Sequence, residues 1–108
     1  MSFKLIPTPP FERELKKLAR RYPSIKKDIA ALAEKLLLNP RIGTSLGSDC
    51  FKIRMAISSK GRGKSGGARV ITYVQILSES IFLIAIYDKS EIDSIAESAI
   101  QDRLRWIQ

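Results

Sequence analysis

The 108-residue sequence predicts an α+β fold with a mostly antiparallel, four-stranded sheet in the order β-α-α-β-β-β-α. Three observations predict it. Two helix-period patterns lie side by side early in the chain, three strand-like runs follow one another in its second half, and one helical pattern closes it. No repeat, linker or shift in composition divides the sequence, so residues 1–108 read as a single domain.

Phe3 to Pro7 is short and apolar and predicts the first strand. Thr8 then precedes Pro9 and Pro10, an N-cap followed by prolines that a first helical turn tolerates. Phe11, Leu15, Leu18 and Tyr22 fall on one helical face, and Pro23 stops the pattern. Ser24 is placed to cap a second helix with Ile25, Ile29, Leu32 and Leu36 facing the core, ended by Asn39-Pro40. So short a link predicts an antiparallel helix pair. Residues 41–49 read as a polar loop. FKIRMAI, residues 51–57, alternates strictly, with Phe51, Ile53, Met55 and Ile57 to one side and Lys52 and Arg54 to the other. That is a half-buried strand with a basic outer face. A second β-rich run covers residues 69–77. SIFLIAIY, residues 80–87, predicts a strand buried on both faces, joined to its predecessor by a hairpin at Ser78-Glu79. Ser90, with Asp93 at the capping-box position, predicts the start of a last helix with Ile92, Ile95, Ala99 and Leu104 inward. Its acids come early and Arg103 and Arg105 late, which complements the helix dipole.

Nineteen Lys and Arg against eleven Asp and Glu give a net charge of +8 and a pI near 9.9. Such a balance points to a polyanionic partner. Cys50 is the sole cysteine, so no intrachain disulfide forms, and with no signal-like segment the expected compartment is the cytoplasm. The longest apolar run, residues 81–87, is too short to cross a membrane. There is no histidine. That removes Ser-His-Asp and Cys-His nucleophilic sites and zinc sites of the Cys and His kind. No metal and no small-molecule cofactor is expected.

The stretch GRGKSGGARV, residues 61–70, contains the letters that close a nucleotide-binding loop. That loop requires a glycine where this chain has Ser58, and a helix where this chain has a β-rich run. The stretch is therefore either a flexible hairpin loop or one that handles phosphate in another way. Its neighbours favour the second. Lys52, Arg54, Lys60, Arg62, Lys64 and Arg69 fall within one acid-free segment. If the flanking strands pair, these cations gather at one end of one sheet face, a footprint for a nucleic-acid backbone. Such a cluster also has chemistry available. RNA carries its own nucleophile, the 2′-hydroxyl. Arginines stabilise the charge that develops on phosphate, and a lysine crowded by cations serves as acid or base near neutral pH.

With these elements in place the chain resembles toxins of the RelE/ParE superfamily, nearest the HigB-like members with a GKSGG-x-RVI segment. Here that segment is residues 63–71. KIRMA (residues 52–56) and IYDKSEIDSI (residues 86–95) also match, and the resemblance runs over nearly the whole chain. It implies a type II toxin that cuts mRNA in the ribosomal 30S A site and is neutralised by a cognate antitoxin. Carried over by position, Arg69 would stabilise the phosphate, Lys52 and Arg54 would supply base and substrate contact, and Lys89 would protonate the leaving group. Lys60, Arg62 and Lys64 would hold RNA. The final-helix tyrosine of some ribonuclease members is missing, since Ile95 and Ala96 stand in that region. Tyr73 or Tyr87 is the substitute if its side chain faces the site. Two other functions stay open: a ParE-like gyrase inhibitor of the same fold, and a non-catalytic basic nucleic-acid-binding module.

Overall fold

The computed structural model describes residues 2–107. Its elements are β1 (Lys4–Pro7), α1 (Pro9–Arg21), α2 (Ile25–Leu38), β2 (Thr44–Gly47), β3 (Cys50–Met55), β4 (Ala68–Gln75), β5 (Ser80–Asp88) and α3 (Glu97–Arg105), with a short 3-10 turn at Ser58–Lys60. The class is α+β, as expected, but the sheet is mixed and has five strands in the order β1-β5-β4-β3-β2. β1 runs parallel to β5, and the remaining pairs are antiparallel.

The fifth strand, β2, lies inside the segment expected to be a polar loop. Its residues are all exposed, so no alternation between buried and exposed positions marks it. Backbone geometry creates it instead. Ser48 and Asp49 adopt positive φ, 52° and 62°, and fold a tight hairpin from β2 into β3. The last helix also begins later than expected, at Glu97 rather than after Ser90. Ser90 does not cap it because its N–H and hydroxyl both donate to Asp88 Oδ1. The Asp93 carboxylate is likewise taken, by Lys89. Ile92 is accordingly exposed, and Ile100 replaces it beside Leu104 in the core.

Two apolar layers enclose the sheet. On one face Phe11 and Leu18 of α1 and Ile25, Leu32 and Leu36 of α2 pack on residues such as Ile53, Val70 and Ile86. On the other, Ile100 and Leu104 of α3 pack on Ile71, Ala85 and Tyr87. The alternation read from FKIRMAI holds: Phe51, Ile53, Met55 and Ile57 are all buried. β5 carries a bulge at Ile84, since Ile71 pairs with Ala85 and Thr72 with Leu83. It lies between β1 and β4 and is nearly all buried, as a run apolar on both faces requires.

The helix starts differ from expectation in a telling way. Pro9 and Pro10 remove two of the N–H groups at the start of α1, including the N2 donor that a cap can serve. The Thr8 hydroxyl donates instead to the Leu83 carbonyl, at 2.8 Å, and stitches the start of α1 to β5. Ser24 occupies the N-cap position of α2, but its hydroxyl bonds the Asp28 carboxylate and Ser59. Asp28 also accepts from Ser58 N–H and Oγ. α2 is thereby fastened to the chain leaving β3.

β1 is short and ends at Pro7, so β5 loses its ladder partner beyond Leu83. An ion pair takes over. Arg103 of α3 and Glu14 of α1 meet through two hydrogen bonds of 2.8 and 2.9 Å. Arg103 Nη1 also donates to the Ile84 carbonyl at 2.9 Å, and Glu14 Oε1 accepts the Ile86 N–H at 3.3 Å. These two side chains satisfy the backbone groups that a longer β1 would have paired.

Gly67, where the glycine stretch enters β4, is the most closely packed of the glycines. A Cβ there would lie 2.2 Å from the Met55 carbonyl oxygen and 2.9 Å from Ala56 Cα. Backbone cannot yield to such contacts cheaply. Gly63 has φ 63° but faces open space. Gly67→Ala is therefore expected to lower unfolding free energy by more than about 3 kcal/mol, against about 1–2 kcal/mol for Gly63→Ala, in urea denaturation at neutral pH.

Candidate nucleic-acid interface

The register of β3, β4 and β5 builds the site. Arg54 stands opposite Arg69, and Arg69 opposite Tyr87. One step along the same face, Lys52 stands opposite Ile71, and Ile71 opposite Ala85. The α3 layer covers the inner part of this face and leaves the β3 side open, with Lys52 half-buried and Arg54 exposed. Two arginines directly opposite each other repel, at a cost of up to about 1 kcal/mol relative to neutral pairs. Neither is paired with a carboxylate among the described residues.

Arg69 is only 6% exposed. Its guanidinium lies beneath the glycine loop. Nη1 donates to the carbonyls of Lys64 (2.9 Å) and Ala68 (3.1 Å), and Nη2 to that of Ser65 (3.4 Å). Carbonyl dipoles alone therefore balance the buried charge. The loop closes over it because Gly67 N–H bonds back to Lys64 O and Lys89 N–H bonds Gly67 O.

Lys52, Arg54 and Lys64 line one cleft of about 490 Å³ between α2 and the end of β3 that β2 does not cover. Asp28 also lines it, but its oxygens are engaged by Ser24 and Ser58. Lys52 borders a smaller cavity of about 220 Å³ as well, with Ile71, Ile95, Glu97 and Ile100. Arg62 is exposed in the loop, its stem packed beneath Gly66.

Two residues expected at this site are placed elsewhere. Lys60 is on the opposite face. Its Nζ donates to Asp88 Oδ1 at 2.7 Å and to Ser90 Oγ at 2.9 Å, and it sits over the Tyr22 ring. Tyr73 is in the α3-side core, stacked on Phe82 with ring centroids 6.0 Å apart. Alternation along β4 points its ring at that core, so it has no open face for a base. Tyr87, in the arginine row, is the tyrosine beside the site. It is 4% exposed, and its buried hydroxyl has no hydrogen-bond partner among the described residues.

The sequence reading missed two acids. Lys89 Nζ donates to the Asp93 carboxylate (2.6 Å) and carbonyl (2.8 Å). The hydrogen bond and charge of Lys89, with a smaller contribution from Lys52, hold the Asp93 carboxyl below its usual range. Glu97 lines the smaller cavity beside Lys52. Both come from the segment after β5, so the local run of cations gave no sign of them.

No protein-family model matches the chain. Solved structures do resemble it. A double mutant of the Escherichia coli toxin RelE in the free state aligns with TM-score 0.63 and 19% identity over all of both chains. The intact E. coli RelBE toxin–antitoxin complex aligns with TM-score 0.62 and 22% identity, covering 82% of this chain and 96% of that one. The double mutant bound to a RelB peptide gives TM-score 0.59 and 20% identity over 94% of each chain. This chain has the RelE fold. Within it, the Arg54–Arg69–Tyr87 row and its neighbour Lys52 lie across the middle strands of the sheet.

Asp88 frames the site from behind. It is 2% exposed. Burial pushes its pKa up, but hydrogen bonds from Lys60, Tyr22 and Ser90 outweigh this and hold the carboxyl well below the usual range. Because the folded pKa is depressed, its contribution to stability is complete above the unfolded carboxylate pKa of about 4 and is lost as pH falls through the folded value. Asp88→Asn is expected to cost about 2–4 kcal/mol at pH 7, because it strands the Lys60 charge. In denaturant titrations the gap between wild type and Asp88→Asn should stay constant from pH 7 to about 5 and narrow below about pH 4.

Proposed function

We propose that this chain is the toxin of a type II toxin–antitoxin pair, a cytoplasmic, ribosome-dependent mRNA endoribonuclease. The observation that carries this reading is the Arg54–Arg69 opposition on one sheet face, beside Lys52 and Lys64, within a fold shared with the toxin RelE. Two cations held in register against their repulsion suit a site that binds an anion, and a phosphodiester is the anion that an exposed cationic cleft tracks.

The chemistry follows from RNA's own 2′-hydroxyl. Its oxygen attacks the adjacent phosphorus and loses a proton, the bond to the 5′-oxygen breaks, and a proton goes to that leaving oxygen. A 2′,3′-cyclic phosphate and a 5′-hydroxyl result. Arg69 supplies donors to the pentacovalent phosphate, whose oxygens take the place of the loop carbonyls it holds at rest. Lys52 and Arg54 hold the substrate and assist removal of the 2′-hydroxyl proton. Lys89, released from Asp93, protonates the 5′-oxygen. Lys64 and Arg62 contact the flanking backbone. Lys60 is left out of this scheme because it bonds Asp88 on the far face, and Tyr73 because it is packed in the core. The cognate antitoxin is the expected protein partner, as RelB is the partner of RelE in its complexes.

Expression of Arg69→Ala without antitoxin should relieve growth arrest, and its cleavage of ribosome-bound mRNA should fall about 10²- to 10³-fold. Arg69 also braces the loop, so exposed Arg54→Ala serves as a second variant. It should lose activity with a melting temperature equal to or slightly above that of the wild type, since removing the Arg54 charge relieves the repulsion with Arg69. Growth arrest by Arg69→Ala equal to wild type refutes the assignment. Inhibition of gyrase supercoiling with intact translation selects the gyrase reading.

A further inference from the structure

The open edge of β3 takes no part in the chemistry above. β2 meets β3 only from Cys50 to Lys52, so Ile53 to Met55 have no strand on that side. Val74 N–H donates to the Asp49 carbonyl, which fixes the alternation of the β3–β4 ladder. Phe51, Ile53 and Met55 turn their backbone groups to β4, and Lys52 and Arg54 turn theirs away from it. The Lys52 carbonyl is covered by Gly43, packed so closely that a Cβ there would lie 2.6 Å from it. The N–H and C=O of Arg54 are left facing the cleft of about 490 Å³, and no other backbone group bonds them among the described residues.

The walls of this cleft differ in kind. Ala31 and Leu32 of α2, with Ile42, give it an apolar side. Lys35 stands at it as a cation with no carboxylate partner among the described residues. Asp28 is the one acid lining it among the described residues, and its oxygens already accept from Ser24 and Ser58. An apolar wall, one backbone donor–acceptor pair and a free ammonium together suit a flat ring with apolar faces and a hydrogen-bonding rim. A phosphate gains nothing from the apolar wall, and an aliphatic side chain gains nothing from the backbone pair.

We infer that the cleft is a base-reading subsite: it holds the nucleobase next to the scissile phosphate, a purine by preference, and the Arg54 backbone pairs with the edge of that base. The RNA ligand and its scissile phosphate rest on the function proposed above. Continuity carries the assignment. Arg54 stands in the arginine row opposite Arg69, and its backbone borders the cleft. A strand whose phosphate lies in that row therefore brings a neighbouring base to the β3 edge. A base unstacked from its strand offers its edges for such contacts. Purines carry an N7 acceptor that pyrimidines lack, and Lys35 supplies a donor to it. An acidic peptide added along the strand edge is the competing occupant. With the Lys52 carbonyl covered, one free residue is too short an edge for an added strand, which pairs at every second residue. A single donor–acceptor pair matches the edge of one base.

Binding of the full-length protein to short single-stranded RNA tests this, with a 2′-O-methyl group on each nucleotide to block cleavage. The base at each position in turn is a purine, its 7-deaza analogue, uracil, or absent. Ala31→Leu and Ala31→Phe fill the cleft from the exposed face of α2, and Lys35→Ala removes the ammonium. At one position the wild type should bind the purine strand roughly tenfold more tightly than the abasic strand. Both Ala31 variants should lose that difference and keep the wild-type melting temperature and affinity for the abasic strand. Lys35→Ala should lose only the difference between the purine and its 7-deaza analogue. Equal wild-type affinity for purine and abasic strands at every position overturns the inference. So does a loss in the Ala31 variants that is as large for the abasic strand as for the purine strand. Binding of poly-glutamate that the Ala31 variants abolish, with purine discrimination intact, gives the cleft to a peptide and overturns it too. Cleavage of unmodified mRNA on ribosomes is followed in parallel. Its absence, with purine discrimination intact, refutes the nuclease function alone.

Discussion

Asp88 sits at the end of β5 with its two carboxylate oxygens almost out of contact with water. A charge in that position is tolerated only when it is surrounded by donors. Its donors come from three separate parts of the chain: Tyr22 at the end of α1, Lys60 in the turn after β3, and Ser90 in the turn after β5. None of these segments belongs to a long regular element. The carboxylate therefore fixes the geometry where helix propensity and strand pairing do not. Because Lys60 is held there, the glycine loop starts from a fixed point. Gly67, wedged against the Met55 carbonyl, gives it a fixed end.

Between those two anchors the loop has conformational freedom, and Arg69 uses it. The guanidinium takes up loop carbonyls that would otherwise face solvent, and the loop shields it in return. Hydrogen bonds to neutral carbonyls are weaker partners for a guanidinium than an anionic oxygen is. The resting arrangement is therefore one that a phosphate group can outcompete. The opposing Arg54 adds to this bias, since it gains nothing from the resting arrangement.

Much of this was legible in the sequence. The alternation of FKIRMAI gave the strand, its buried side and the shared face of Lys52 and Arg54. The position of Arg69 after the glycines gave its place in the neighbouring strand. Local pattern could not show which cations would meet anionic partners from elsewhere in the chain. Lys60 and Lys64 look alike in the sequence, yet Lys60 is drawn to Asp88, 28 residues away, and Lys64 faces the open cleft. β2 was hidden because an exposed edge strand has no apolar period, and its existence depends on two left-handed residues in the hairpin after it. The late start of α3 was hidden because Ser90 and Asp93, good capping residues by type, are taken by stronger tertiary partners. The core position of Tyr73 was hidden because β4 is buried on both sides, so alternation carries no information about exposure there.

The Glu14–Arg103 pair joins residues 89 apart in sequence, and through it α3 finishes the edge of β5 that β1 leaves open. This bears on the order in which the molecule can be made. A chain emerging from N- to C-terminus can form the helix pair and the β3–β4–β5 meander from what is already present. The Ile84 carbonyl and the Glu14 carboxylate then wait for Arg103 of α3. The native state is thus reached only after α3 has been made, by a long-range contact that cannot form sooner.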